Sequence, residues 1–354
     1  MVISSGRVGG LLLRLLFALL SALTHVKTSQ AGVGLAEIQS EAEKGPITVF
    51  YPTEAAPMDV ERLGLRFSAT PGAVPVEGNR RLIVISHGSP ASPWVYADLA
   101  AALVAAGFVV ALPEHLNDNY RNASESGPQS WRRRPAEVSM AVDSLAKDVR
   151  FSPLLDLDKV GMYGMSAGGH TALVLAGGRW SEKVLREHCD ANIEEDFYAC
   201  AGPTFELTGS FLDALKIFVI RKVKDWTLTD ASWNAHTDAR VAAIVSGVPF
   251  AADFDMESFA NVNIPVAIIV AEKDRWLNPK FHSQAVLKAC GQCELLADLA
   301  DAGHGALLSP VPPGDRGLIG RLIGDPPEFD RPGTVLKINR LIAGYFQKQL
   351  LVRQ

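Results

Sequence analysis

A chain of 354 residues, 48% of them hydrophobic, can enclose one large core without being split in two. Its 39 acidic residues outnumber 34 basic ones, for a formal net charge of −5. That balance excludes nucleic-acid binding as the main role, because phosphate contacts need clustered Lys and Arg.

The first 31 residues differ from the rest. They carry Arg7 and Arg14 with no acid, then an apolar run from Leu15 to Leu23, then small residues suited to cleavage around Ser29-Gln30-Ala31. The pattern reads as a secretory signal, with an uncleaved anchor or an organellar transit peptide as alternatives. The apolar run falls short of the roughly 20 residues that a bilayer demands, and no cysteine follows the cleavage point to accept a lipid. The expected mature protein is 32–354, secreted or periplasmic, with no stable membrane span. Losing Arg7, Arg14 and Lys27 and no acid takes its net charge from −5 to −8.

Beyond the leader, strand-like and helix-like segments alternate. Ile47–Tyr51 and Leu63–Phe67 read as leading strands at an antiparallel edge. Leu82–Ser86 is a continuous apolar run of the kind buried on both faces of a parallel sheet. A helix follows with Tyr96, Leu99, Leu103 and Val104 inward and Gly107 as its stop. Phe108–Leu112 is the next strand. The polar loop Asn117–Ser130 leads to a helix with Pro135 in its first turn and Val138, Val142 and Leu145 inward. Arg132-Arg133-Arg134 opens that helix and reads as a solvated helix start. Val160–Tyr163 is a strand that runs into a Gly-rich turn at Ser166 and a helix through Thr171–Ala176.

A long insertion, Arg179–Asp238, reads as a helical cap whose Phe205, Phe211, Phe218, Trp226 and Trp233 are either extra packing or the lining of an acyl pocket. Strands at Ala242–Val248, Pro265–Val270 and Glu294–Leu299 and a closing helix at about Thr334–Leu351 complete the chain. The alternation predicts an α/β fold with a mostly parallel doubly wound sheet. Of three possible pairings of four cysteines, Cys189 with Cys200 and Cys290 with Cys293 is the most economical. A redox-active pair at Cys290 and Cys293 is the sharper alternative, but no helix N-terminus is at hand to lower a thiol pKa.

The segment that carries chemistry is Gly164-Met165-Ser166-Ala167-Gly168. It fits G-x-S-x-G at a strand-to-helix turn, where side chains two residues to either side of the serine would collide. A serine hydroxyl needs a base within hydrogen-bond reach and a third group to orient that base. Downstream, Asp274 follows the strand Pro265–Val270 and His304 follows Glu294–Leu299. This gives the order Ser, Asp, His at the C-terminal ends of strands. Asp253 and Asp255, after an earlier strand, are the rival acids. The backbone N–H groups of Ser89 and Ala167 are the expected oxyanion donors.

The pieces Ser86-His87-Gly88-Ser89, Pro113-Glu114-His115, Gly164–Gly169, Glu272-Lys273-Asp274 and Ala302-Gly303-His304 resemble the α/β-hydrolase superfamily. They resemble more narrowly its bacterial dienelactone-hydrolase-like and platelet-activating-factor-acetylhydrolase-like esterases, over about Gly45 to Lys348. True dienelactone hydrolases use a cysteine nucleophile, and here that position is Ser166. The resemblance implies an α/β-hydrolase fold and hydrolysis of a small-molecule or lipid ester through an acyl-enzyme. An acyltransferase or phospholipid deacetylase with the same triad is the alternative within enzymes, and a catalytically silent binding scaffold the alternative outside them.

The other histidines carry bland expectations: His87 shapes the oxyanion turn, His170 is a satisfied core residue, and His115 has no evident chemical role. No HExxH, paired Cys/His set or phosphate-cradling loop occurs, so neither a metal nor a nucleotide cofactor is expected.

Overall fold

In the computed structural model the described residues are 32–40, 45–311 and 317–352, so the expected leader lies outside them. Residues 31–354 form one compact unit. Among the described residues nine strands make the main sheet. From one edge these are β11 (Glu294–Leu299), β10 (Val266–Ala271), β9 (Val241–Gly247), β8 (Val160–Met165), β6 (Leu82–Ser86) and β7 (Val109–Pro113), all parallel. β2 (Pro46–Thr53) then joins β7 antiparallel and pairs with β1 (Gly32–Gln39), with the short β5 (Thr70–Pro71) outermost.

Alternation along each parallel strand divides the core into two layers. In β6, Leu82 and Val84 face one side and Ile83 and Ile85 the other. The first layer is covered by α2 (Pro128–Lys147) and α3 (Ala167–Leu175), through Val138, Val142 and Leu173 among others. The second is covered by α1 (Ala97–Ala105) and the closing helix α9 (Arg331–Leu351), through Leu99, Leu103, Ile342 and Phe346. Helices on both faces of a mostly parallel sheet are the expected α/β-hydrolase architecture.

Three expectations are corrected. The strand expected at Leu63–Phe67 is β4 (Leu65–Ser68), which pairs with β3 (Asp59–Arg62) in a separate two-stranded sheet. Leu63 and Gly64 turn that hairpin with φ of 55° and 74°, the positive values that a tight hairpin turn demands. The true outer partner of β2 is β1, which sequence reasoning missed. Pro135 is in the interior of α2, because the helix starts seven residues earlier, at Pro128. The earlier start places Arg134 well inside the helix, where it is fully buried rather than solvated.

The insertion is helical, as expected: α4 (Glu182–Asn192), α5 (Phe197–Ala201) and α6 (Asp213–Thr227). Two short helices, α7 (Ser283–Ala289) and α8 (Leu318–Ile323), lie further along the chain. Ser181 caps α4 by accepting from Val184 N. Disulfides join Cys189 to Cys200 and Cys290 to Cys293. Asp196 fastens the insertion to the body, accepting from Nε2 of His188 at 2.8 Å and of His282 at 3.0 Å, and from Asn278 N at 3.1 Å. Phe211, Phe218 and Trp226 do not line a closed acyl pocket, because all three project into solvent. Among the described residues no helix is long and apolar enough to cross a membrane.

Candidate active site

The turn between β8 and α3 places Ser166 where its backbone is strained, at φ 57° and ψ −120°. Neighbouring glycines make the turn possible. A Cβ on Gly164 would come within 1.9 Å of Gly168 O, and one on Gly168 within 1.9 Å of Ser86 O. Hydrogen bonds fix the strained residue: its N–H donates to Gly247 O at 3.0 Å, and its carbonyl accepts from His170 N at 3.0 Å and Phe250 N at 3.1 Å.

Two loops at the same end of the sheet bring the expected partners to it. His304 Nε2 lies 3.0 Å from Ser166 Oγ, and His304 Nδ1 lies 2.7 Å from Asp274 Oδ2. Asp274 Oδ1 already accepts from the N–H groups of Trp276 at 2.8 Å and Leu277 at 2.9 Å, which fixes the carboxylate plane and leaves Oδ2 for the imidazole. Nδ1 therefore carries the proton, and Nε2 presents a lone pair to the serine hydroxyl. His304 and Asp274 are buried, whereas Ser166 is partly open to solvent. The Trp276 ring packs 5.5 Å from the imidazole. Arg331 holds the histidine loop by donating to Leu308 O at 2.7 Å and Gly305 O at 3.1 Å, and pairs with Asp325.

The turn after β6 faces the nucleophile. A Cβ on Gly88 would sit 3.6 Å from Ser166 Cβ. Gly88 N–H is occupied, donating to Tyr96 Oη at 3.1 Å. Among the described residues the N–H groups of Ser89 and Ala167 donate to no acceptor in the protein.

A buried ion pair holds this turn. Arg134 donates to the carbonyls of His87 and Gly88 and to Asp118 Oδ2 at 2.8 Å, while Asp118 Oδ1 accepts from the hydroxyls of Ser89 and Ser126. Both charged side chains are wholly inaccessible. Burial alone would raise the Asp118 pKa, but the Arg134 charge and the hydroxyls of Ser126, Ser130 and Ser89 outweigh it and bring it down to about 2. Sequence reasoning missed this clamp. Its signal was the place of Arg134 on the inward stripe of α2, between Trp131 and Val138.

The other candidates lie elsewhere. His87 accepts from His115 N at Nε2, so its Nδ1–H donates to Gly88 O at 2.7 Å. Desolvation, with His115 and Arg134 alongside, holds its pKa well below the usual histidine value. His115 has partners on both nitrogens, Ser86 Oγ at 2.7 Å and Glu137 Oε2 at 2.6 Å, and burial pushes its pKa well down too. His170 Nε2 lies 3.1 Å from Asp253 Oδ2 amid Trp131, Trp180, Phe250 and Phe254. The rival acid Asp253 thus serves His170. Asp255 accepts from Glu257 N and pairs with Arg179.

The profile of the alpha/beta hydrolase family matches residues 83–312, most of the chain. No curated protein matches it. Among solved structures, a ferulic acid esterase from Streptomyces cinnamoneus is similar over 94% of this chain and 93% of its own, at a TM-score of 0.56 and 15% identity. At that identity the likeness is one of fold.

Proposed function

Since the chain belongs to the alpha/beta hydrolase family, we propose that it hydrolyses carboxylic esters through an acyl-enzyme on Ser166. His304 is the general base and Asp274 the acid that orients it. The observation that carries this reading is the unbroken relay from Ser166 Oγ through His304, 3.0 Å, to Asp274, 2.7 Å. As Ser166 attacks the carbonyl carbon, its proton passes to His304 Nε2 while Asp274 stabilises the imidazolium. The oxyanion takes hydrogen bonds from Ser89 N–H and Ala167 N–H, each worth about 2.7–4 kcal/mol in a site of this kind. The imidazolium then protonates the departing alkoxide, and His304 deprotonates the water that releases the acid.

The substrate is a small-molecule or lipid ester, and the chain groups with the dienelactone-hydrolase-like and platelet-activating-factor-acetylhydrolase-like serine esterases. The motif resemblance supports this assignment. The protein is exported after loss of its leader, with 32–354 as the catalytic domain. Two disulfides in one chain support export, since such bonds are rare in a reducing cytosol. The test is a fluorophosphonate probe with Ser166→Ala as control. Wild type should label and turn over small esters, and the variant should do neither while remaining folded. Labelling that survives in Ser166→Ala, or a folded wild type that neither labels nor hydrolyses any ester of a graded acyl series, would refute the proposal.

A further inference from the structure

A second chain of serine, histidine and acid lies inside the fold, apart from the candidate catalytic relay. Ser86 Oγ, on the last residue of β6, is 2.7 Å from His115 Nε2, and His115 Nδ1 is 2.6 Å from Glu137 Oε2 on α2. Burial holds the imidazole neutral, so it carries one proton. The carboxylate takes that proton's hydrogen bond at Nδ1, and the Nε2 lone pair accepts from the Ser86 hydroxyl. Ser86 and His115 are wholly inaccessible and Glu137 nearly so. No ester can reach this serine, so the three groups act through what they hold.

What they hold is the turn after β6. His115 grips it twice: its ring takes the Ser86 hydroxyl, and its backbone N–H donates to His87 Nε2 at 3.2 Å. With Nε2 engaged as an acceptor, His87 donates from Nδ1 to Gly88 O at 2.7 Å. The Gly88 carbonyl and the Ser89 N–H are opposite ends of one planar peptide, so whatever fixes the carbonyl also aims the N–H. Glu137 stands one helical turn after Arg134, which donates to the same carbonyl at 3.2 Å. One face of α2 thus supports the turn twice, directly through Arg134 and indirectly through Glu137 and His115.

On the ester-hydrolase reading, we infer that Glu137 and His115 are positioning residues that aim the Ser89 N–H at the oxyanion. An acceptor on residue 137 keeps the imidazole proton on Nδ1, and with it the lone pair that faces Ser86. Without one, the Nδ1–H loses its partner inside the core and the ring gives up its hold on the turn. The test measures kcat and KM for p-nitrophenyl acetate, and inhibition by phenylboronic acid, whose tetrahedral adduct on Ser166 sets an oxygen in the oxyanion position. Glu137→Leu removes the acceptor, and Glu137→Gln keeps an oxygen there. Ser86→Ala deletes a single hydroxyl at the far end, and decides the matter should Glu137→Leu fail to fold.

Glu137→Leu and Ser86→Ala should each lower kcat by about 10–100-fold, part of the roughly 10²–10³-fold that full loss of one donor costs. KM should change little, and boronate affinity should fall by a like factor. Glu137→Gln should recover most of both. The double variant Ser86→Ala/Glu137→Leu should be no worse than the more impaired single one, because both act through one imidazole. Unchanged kcat and boronate affinity in the folded variants, a loss expressed in KM alone, additive losses in the double variant, or no recovery in Glu137→Gln would each overturn the inference and leave the catalytic relay standing. A wild type that neither turns over the ester nor binds the boronate would overturn the catalytic reading and this inference with it.

Discussion

Replacing Asp118 by Asn tests whether the buried ion pair holds the oxyanion turn. The amide keeps the shape of the carboxylate and removes its charge, stranding the Arg134 guanidinium in a site with no access to water. Breaking a buried pair on one side costs about 3–5 kcal/mol, a large share of the roughly 5–15 kcal/mol that holds a domain folded. Catalysis should suffer as well, because Arg134 fixes the carbonyls of His87 and Gly88, and with them the direction of Ser89 N–H. Full loss of one such donor lowers kcat by about 10²–10³. The expected outcome is a urea midpoint shifted by that stability loss, with kcat down by up to that factor and KM little changed.

Arg134→Lys keeps the charge without the fork, so it should recover stability more than kcat. The acid limb of stability adds a second readout. The folded pKa of about 2 lies below the ordinary 3.8, so the stabilisation is complete above pH 3.8 and is lost as pH falls through the folded value. It amounts to about 2 kcal/mol, which Asp118→Asn should lack. An Asp118→Asn variant with unfolding within about 1 kcal/mol of wild type, against the cost expected for breaking a buried pair, and unchanged kcat would refute the reasoning.

Asp274→Asn should cut kcat by about 10⁴, the cost of losing the acid that sets the imidazole tautomer. Asp253→Asn should leave kcat near wild type while weakening the core, since Asp253 faces His170. A steady-state comparison under saturating ester decides, and a reversed pattern would move the acid to the earlier strand. Cys189→Ser/Cys200→Ser should lose about 2–3 kcal/mol, the value expected for closing a loop of 11 residues. Thermal unfolding measures it, and an unshifted midpoint would leave Asp196 and its two histidines as the fastening of the insertion.

The parallel strands were legible because they are uninterrupted apolar runs, and the candidate site because G-x-S-x-G and the loops after β10 and β11 occupy fixed places relative to those runs. What stayed hidden depends on contacts between distant residues. β1 begins Gly-Val-Gly and lacks the β-branched density of a strand, yet Gly34 lies beneath the Tyr51 ring, where a Cβ would come within 2.2 Å of it. Arg134 looked like one of three solvated arginines because Asp118, its counter-charge, sits in a polar loop with no periodicity. The outward aromatics of α6 had the same spacing as core residues, and spacing alone does not say which side of a helix is covered.

The most direct measurement is the mass of the intermediate. Wild-type protein mixed with an activated ester of a slowly hydrolysed acid is quenched in acid during the first turnovers and digested, and the peptides are mapped. The account predicts one added acyl group on the peptide containing Ser166, and none in Ser166→Ala. An acyl group on another residue, or full turnover with no acylated peptide, would contradict it.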